Sequence, residues 1–308
     1  MIGVHAFWSK PVVTGTFGHH TENEKSKFSM FPFELIHFIC SALNYKQLNG
    51  PIHLYTDETF YNYLTERGYD VFWDKIDIDK AKEFELLRVD SRHSWTSFKT
   101  WLVGQLDTPF LVLDHDNMIY TKIPEILFDA DLRFAHWETL DDSVYVSKEQ
   151  LEINDFDFDT NWNWDLNVAN TSIMYFNNKT LSSEYSYRAL DFLSKHKPTT
   201  TKAQRTQYLF ADQRLLSMIA EAGDYNFGTF SNSIFDVRKS QNIRITDFED
   251  LDQVGFDHTW FFKHKLKDDY ENNIEGEVKP YIDRHEQIIK DSFPQYYDLL
   301  KPLYYACK

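Results

Sequence analysis

The chain has 308 residues, 42% hydrophobic and 26% charged, which suits one large globular domain or two modest ones. A formal net charge of −16 without any long Lys/Arg block argues against a nucleic-acid binder, which needs a basic face. Cys40 and Cys307 form neither a disulfide framework nor a metal-spaced cluster, so both are expected to be thiols in a reducing, cytoplasmic compartment. The start, MIGVHAFWSKP, lacks a basic region followed by a long apolar run, so no secretory leader is expected. No run approaches the ~18 apolar residues of a membrane span. Aromatic residues make up 17% of the chain, enough to fill a core and still line a cleft for a ring-shaped ligand.

In chain order, IGVHAF (2–7) reads as a buried strand. Phe31, Leu35, Phe38, Ile39 and Ala42 recur at helical spacing over 31–43, with Pro32 near the start and Gly50-Pro51 in the loop beyond. IHLYT (52–56) reads as a strand, then 57–68 as a short helix capped by Asp57 and stopped by Gly68. YDVFW (69–73) is predicted to be a third strand, and this alternation implies an α/β fold with a largely parallel sheet. Residues 74–90 are charged and give no clear period. Over 95–106, Trp95, Phe98, Leu102 and Leu106 share a helix face, with Lys99 beside it. PFLVL (109–113) and DLRFAHW (131–137) read as strands. The acidic, Trp-containing 141–165 reads as a loop, 168–178 as a strand, 209–223 as a helix ended by Gly223, and 280–304 as helical. No repeat or linker appears, so 1–265 is expected as one domain and 266–308 as a helical extension packed on it.

Asp114-His115-Asp116 follows the apolar run 109–113 directly. Asp is a common turn former, so a turn is one reading. A second is a cation site: hard divalent ions bind through one or two carboxylates plus substrate phosphates, and ligands of open α/β sheets sit beyond the carboxyl ends of strands. A third is an aspartyl nucleophile of a phosphoryl hydrolase, although that motif is expected on a first strand rather than a third of the way along the chain.

Four segments, taken together, resemble those of GT-A glycosyltransferases, especially glycosyltransferase family 8. They are Asp114-His115-Asp116 followed by Ile123-Pro124; NTSIMYFN (170–177); ADQRLLSMI (211–219); and HTWFFKHK (258–265). Lys99 precedes them on a helix, where relatives often carry a basic residue. The opening AFWSKP (6–11), with LYTDE (54–58), also resembles a poorly characterised bacterial GT-A-like family that begins Phe-Trp-Ser/Thr-Lys-Pro. Ser172 stands where the larger family favours Gly, and the late segment lacks the usual Gly and Lys-Pro-Trp.

The resemblance implies a GT-A-like, Rossmann-related α/β fold with a mixed, mainly parallel sheet flanked by helices. It implies a metal-dependent transfer of sugar from a nucleotide-diphosphate sugar, UDP-linked by expectation, to a carbohydrate, lipid-linked or protein acceptor. A retaining outcome follows if the kinship with family 8 holds. Asp114 and Asp116, with His258 or His264, would hold Mn2+ or Mg2+. Lys99 and Lys263 would face the phosphates, and Phe7 or Trp8 the base. Asn170, Asp212 and Gln213 would face the sugar, with Trp162 and Trp164 covering the donor or presenting an acceptor platform. A non-catalytic sugar-nucleotide binder and a metal-dependent phosphoryl hydrolase are the alternatives.

Overall fold

The computed structural model describes residues 1–13, 28–89, 96–153, 155–196, 206–237, 243–245, 254–259, 262–272, 274 and 276–306. Trp95, Cys307 and the Trp260-Phe261 pair of the late segment lie outside these residues.

The first half runs β1 (Ile2–Phe7), α1 (Lys10–Val13), α2 (Pro32–Leu48), β2 (Ile52–Thr56), α3 (Glu58–Thr65), β3 (Lys75–Asp77), α4 (Asp79–Glu85), α5 (Ser97–Gln105) and β4 (Phe110–Leu113). Then come β5 (Asn117–Ile119), β6 (Leu132–Phe134), β7 (Trp137–Glu138), β8 (Val168–Ala169), β9 (Ile173–Phe176) and α6 (Lys179–Lys195). A π-helical turn, Phe210–Arg214, leads into α7 (Leu215–Ala222). The strands β10 (Phe227–Thr229), β11 (Ile234–Phe235), β12 (Ile243–Ile245) and β13 (Phe256–His258) follow. Last are α8 (Phe262–Glu271), α9 (Val278–Ser292) and α10 (Tyr297–Tyr305).

A seven-stranded sheet has the order β10-β6-β9-β4-β1-β2-β3, in which β9 alone runs antiparallel to its neighbours β4 and β6. The fold is therefore α/β with a mixed, mainly parallel sheet flanked by helices. Successive β4 side chains feed opposite faces: Leu111 and Leu113 join the cluster built with α2, α9 and α10, while Phe110 and Val112 join that built with α5, α6 and α7. Burial on both faces is why PFLVL reads as an unbroken apolar run rather than an alternation. Gly3 lies where a Cβ would come 2.4 Å from the Tyr45 ring on α2, so only glycine allows that helix its close approach. Two small sheets, β11-β7-β8 and β12-β13-β5, frame the carboxyl end of β4.

Three predicted elements differ. Residues 69–73 do not form the third strand: Asp70–Phe72 is a 3-10 turn, and the strand beside β2 is Lys75–Asp77. The aromatic run is apolar because Tyr69, Phe72 and Trp73 are buried beneath the sheet edge. The strand itself is charged, as an edge that must resist further pairing tends to be. DLRFAHW splits into β6 and β7, and VANTSIMYFNN into β8 and β9, each pair divided between the main sheet and the small one. The crossings hold each other: Ala135 N donates to Asn170 O at 3.1 Å and Asn170 N to His136 O at 3.0 Å. The boundary expected at 265/266 falls inside α8, and Leu266, Tyr281, Ile282, Ile289 and Leu300 are buried in the same cluster as α2. No helix among the described residues is long and apolar enough to cross a membrane.

Candidate functional site

The site lies at the carboxyl ends of β1 and β4. Asp114 is the first residue past β4, and its N–H donates to Ser172 O at 2.8 Å, continuing the β4–β9 ladder by one rung. The chain turns through His115 and Asp116 into β5, where Asn117 sits opposite His258 of β13. That register brings the late segment against the aspartates: Thr259 N donates to Asp116 O at 3.0 Å, and Lys263, the second residue of α8, reaches Asp116 Oδ2 at 2.8 Å. His258 Nε2 is 3.7 Å from Asp116 Oδ1. His264 is exposed on α8.

Lys99 enters from α5, a helix buried on most of its circumference rather than along one stripe. Its ammonium donates to Asp114 Oδ1 at 2.9 Å and Oδ2 at 3.2 Å, and to Thr171 O at 3.2 Å, and it lies 3.5 Å from Asp212 Oδ1. Burial works against this charge, but Asp114 and then Asp212 outweigh it and raise the Lys99 pKa. Burial also opposes the Asp116 carboxylate, yet Lys263, His258 and His115 hold it well below the usual carboxylate range. Asp212 is pushed up by burial in spite of Lys99. His258 is pushed down by burial more than Asp116 lifts it, which favours the neutral imidazole. Five charged side chains therefore meet: Lys99, Asp114, Asp116, Asp212 and Lys263.

The remaining predicted residues sit as follows. Phe7 is buried among Phe28, Phe38 and Phe60, with the His115 ring edge-on at 5.5 Å. Trp8 is buried against Phe84. Trp162 is buried beside Phe156, and Trp164 stacks on Phe210, so both join aromatic packing under α6 and the π turn. Asn170 is buried between the two strand crossings. Its Oδ1 accepts from Ser172 N at 3.1 Å and from Ser172 Oγ at 2.5 Å. Ser172 Oγ also accepts from Asn117 Nδ2 at 3.0 Å, which explains a hydroxyl at this position: it ties β5 to β9.

Several residues around the site make contacts that no spacing in the sequence signals. Asp57 caps α3 through Phe60 N at 2.9 Å and also holds the loop after β1, accepting from Ser9 N at 2.6 Å and Ser9 Oγ at 2.9 Å. Trp73 Nε1 donates to His5 Nδ1 at 3.0 Å, which leaves the proton on His5 Nε2 to face Ser41 Oγ at 3.2 Å; Ser41 in turn donates to Asn117 O at 2.6 Å. A small, partly open cavity of about 10 Å³, room for about one water, lies between α2, α8 and α9 beside Asp116 and Lys263. Its walls include Glu34, which burial raises to about 7, and His37, which burial lowers to about 3.

Fold and site together define a mixed α/β protein whose β4 terminus carries two aspartates, each neutralised by a lysine from a different helix. The chain belongs to a family of unknown function (DUF6734), whose model matches residues 1–298. No curated protein matches it. Among solved structures it is similar to the nucleoside-diphosphate-sugar pyrophosphorylase from Vibrio cholerae RC9, at 12% identity over 78% of this chain and 93% of that chain, with a TM-score of 0.39. It is similar to mouse xyloside xylosyltransferase 1, at 12% identity over 72% of this chain and 83% of that one, with a TM-score of 0.38. It is also similar to the inositol-1-phosphate CTP transferase from T. maritima, at 8% identity over 76% and 84%, with a TM-score of 0.34. All three scores lie below 0.5.

Proposed function

We propose that this protein is a glycosyltransferase that takes its sugar from a nucleotide-diphosphate donor. The observation that carries the reading is the meeting of Lys99 and Lys263 with Asp114, Asp116 and Asp212 beyond the end of β4. A sugar nucleotide needs such a mixed surface: fixed positive charge for its diphosphate and carboxylates for a bridging cation or for the sugar. The four motifs in order, from Asp114 to Lys263, support the same reading.

The donor set suits Mn2+ or Mg2+: two carboxylates and one imidazole, held largely neutral by burial. Among the described residues no three His, Cys, Asp or Glu side chains form a ready-made ligand cluster. Asp114 and Asp116 would therefore hold the ion together with phosphate oxygens, with His258 beside them. When bound, the ion would supply Lewis-acid stabilisation of the departing diphosphate. Lys99 and Lys263 would then turn from carboxylate to phosphate, adding point charge where negative charge develops. Asp212 and Gln213 would contact the sugar.

The test is a thermal-shift and calorimetric screen of UDP, GDP and their sugar derivatives, with and without Mn2+, on the wild type, Asp114→Ala and Asp116→Ala. Metal-dependent binding that disappears in both variants, with release of nucleoside diphosphate on turnover, is expected. A wild type that responds to no nucleotide sinks the proposal, and binding without turnover on a broad acceptor panel leaves a binding protein in its place.

A further inference from the structure

Glu138 ends β7, fully buried, and belongs to no recognised motif. Its two oxygens join two residues of the site. Oε1 accepts from Asn170 Nδ2 at 2.5 Å, and Oε2 is bonded to the hydroxyl of Tyr145, itself buried. The same Tyr145 oxygen is 2.9 Å from Gln213 Oε1, on the π turn. Such turns often occur at functional sites.

With the Gln213 amide oxygen turned toward Tyr145, the protons of this hydrogen-bonded chain can be counted. Tyr145 has one hydroxyl proton and two acceptors, Glu138 Oε2 and Gln213 Oε1. Were Glu138 ionised, one of the two contacts would set two acceptors against each other in a buried site. Were it protonated, every contact is served: Glu138 donates to Tyr145, and Tyr145 donates to Gln213. The electrostatics agree, since burial raises the Glu138 carboxyl to about 7 against the pull of Tyr145 and Asn170. The other titratable and charged groups nearby are Asp212 and Arg214 of the π turn, which act on Tyr145, and His136, which burial keeps neutral. The arrangement also sets the Gln213 amide. Its oxygen is held by Tyr145, while its NH2 end makes no hydrogen bond among the described residues. Asn170, by contrast, is held at both ends, by Glu138 and Ser172.

We propose that Glu138 and Tyr145 are positioning residues for the site: a protonated Glu138 donates to Tyr145, Tyr145 donates to Gln213, and Gln213 is left with its NH2 end for the ligand. This rests on the reading of the site as a sugar-nucleotide site. The ligand group it predicts is an acceptor oxygen, such as a sugar hydroxyl or ring oxygen, within reach of Gln213 Nε2.

The experiment uses the full chain and the variants Tyr145→Phe, Glu138→Ala and Glu138→Gln, read in two ways. In turnover of the nucleotide sugar identified by the screen above, Tyr145→Phe lowers kcat at least tenfold with KM for the donor within threefold. Glu138→Ala does the same, and Glu138→Gln, a neutral isostere that can still donate to Tyr145, recovers most of the loss. In thermal unfolding, the wild-type midpoint declines between pH 5 and about pH 7 as a buried proton is lost and levels off above that, and Glu138→Gln lacks that decline. Failure of Glu138→Gln to recover activity, an unchanged kcat in Tyr145→Phe, or a wild-type pH profile in Glu138→Gln overturns the proposal. Should the wild type process no nucleotide sugar, the functional reading falls, and the unfolding profiles alone decide where the proton sits.

Discussion

The two lysine–aspartate pairs at the end of β4 are built the opposite way round. In the first, the lysine is the buried partner: the Lys99 side chain is 7% exposed and that of Asp114 28%. In the second the carboxylate is buried: Asp116 is 10% exposed and Lys263 27%. The site therefore turns one anion and one cation outward, each anchored on a buried opposite charge. The anchors also differ in what else they hold. Lys99 serves a second carboxylate, Asp212, whereas Asp116 has the His258 imidazole in reserve at 3.7 Å. Buried charge is costly unless paired, so the inward members depend most on their partners, while the outward ones are the more open to solvent.

Breaking the inward lysine is expected to have the largest effect. Lys99→Met leaves Asp212 buried without a cation and should cost about 3–5 kcal/mol, read by urea unfolding at neutral pH. A result below about 1 kcal/mol would mean that Asp212 takes up a proton or relaxes into water, and the contrast between the pairs would not stand.

Glu138 sharpens the comparison as a buried carboxyl with no lysine beside it. Its folded pKa of about 7 lies above the unfolded value, so folding favours the protonated form. Its effect on stability is most favourable below the unfolded pKa and declines as pH rises through about 7. The loss should amount to about 3 kcal/mol. Denaturant titrations at pH 5 and pH 8.5 should show it in the wild type and not in Glu138→Gln.

Lys263→Met should cost less than Lys99→Met, about 1–3 kcal/mol, because His258 remains beside Asp116. The Asp116 pKa is depressed in the folded protein. Its contribution is therefore present above the unfolded value of about 4 and is lost as pH falls through the folded one. The gap between wild type and Lys263→Met should accordingly be widest near neutrality and close on acidification; a gap that persists at pH 2 would assign the loss to packing.

Asp114→Asn should have the smallest effect on folding, within about 1 kcal/mol, since the carboxylate faces solvent and Lys99 keeps Asp212. Its effect on ligand binding should be large all the same. A variant as unstable as Lys99→Met would show that Asp114 is an anchor too.

How much of this could be read beforehand depends on how local the cause is. The α2 helix, the Asp57 cap and the buried β4 run each follow from residues within a turn or two of one another. The third strand did not, because aromatic residues 69–73 look extended by composition but are buried in a turn, while the true strand is short and charged. For the site, the order of motifs named Lys99, the aspartates, Asp212 and Lys263 without stating who pairs with whom. Glu138 and Tyr145 went unnamed: a single Glu in HWETL and a single Tyr in an acidic loop have no period and no spacing to mark them.

By itself, then, the sequence determined the alternation of strands and helices, the apolar strand that ends in Asp114-His115-Asp116, and the acidity that argues against nucleic acid. Those depend on periodicity and on composition, which act over short stretches. Tertiary structure alone decided that Asp116 meets a lysine 147 residues later and that the buried Glu138 carboxyl meets Asn170 directly and Gln213 through Tyr145. It likewise decided which member of each ion pair faces outward. Those outcomes depend on strand register and on burial, which exist only once distant segments have packed.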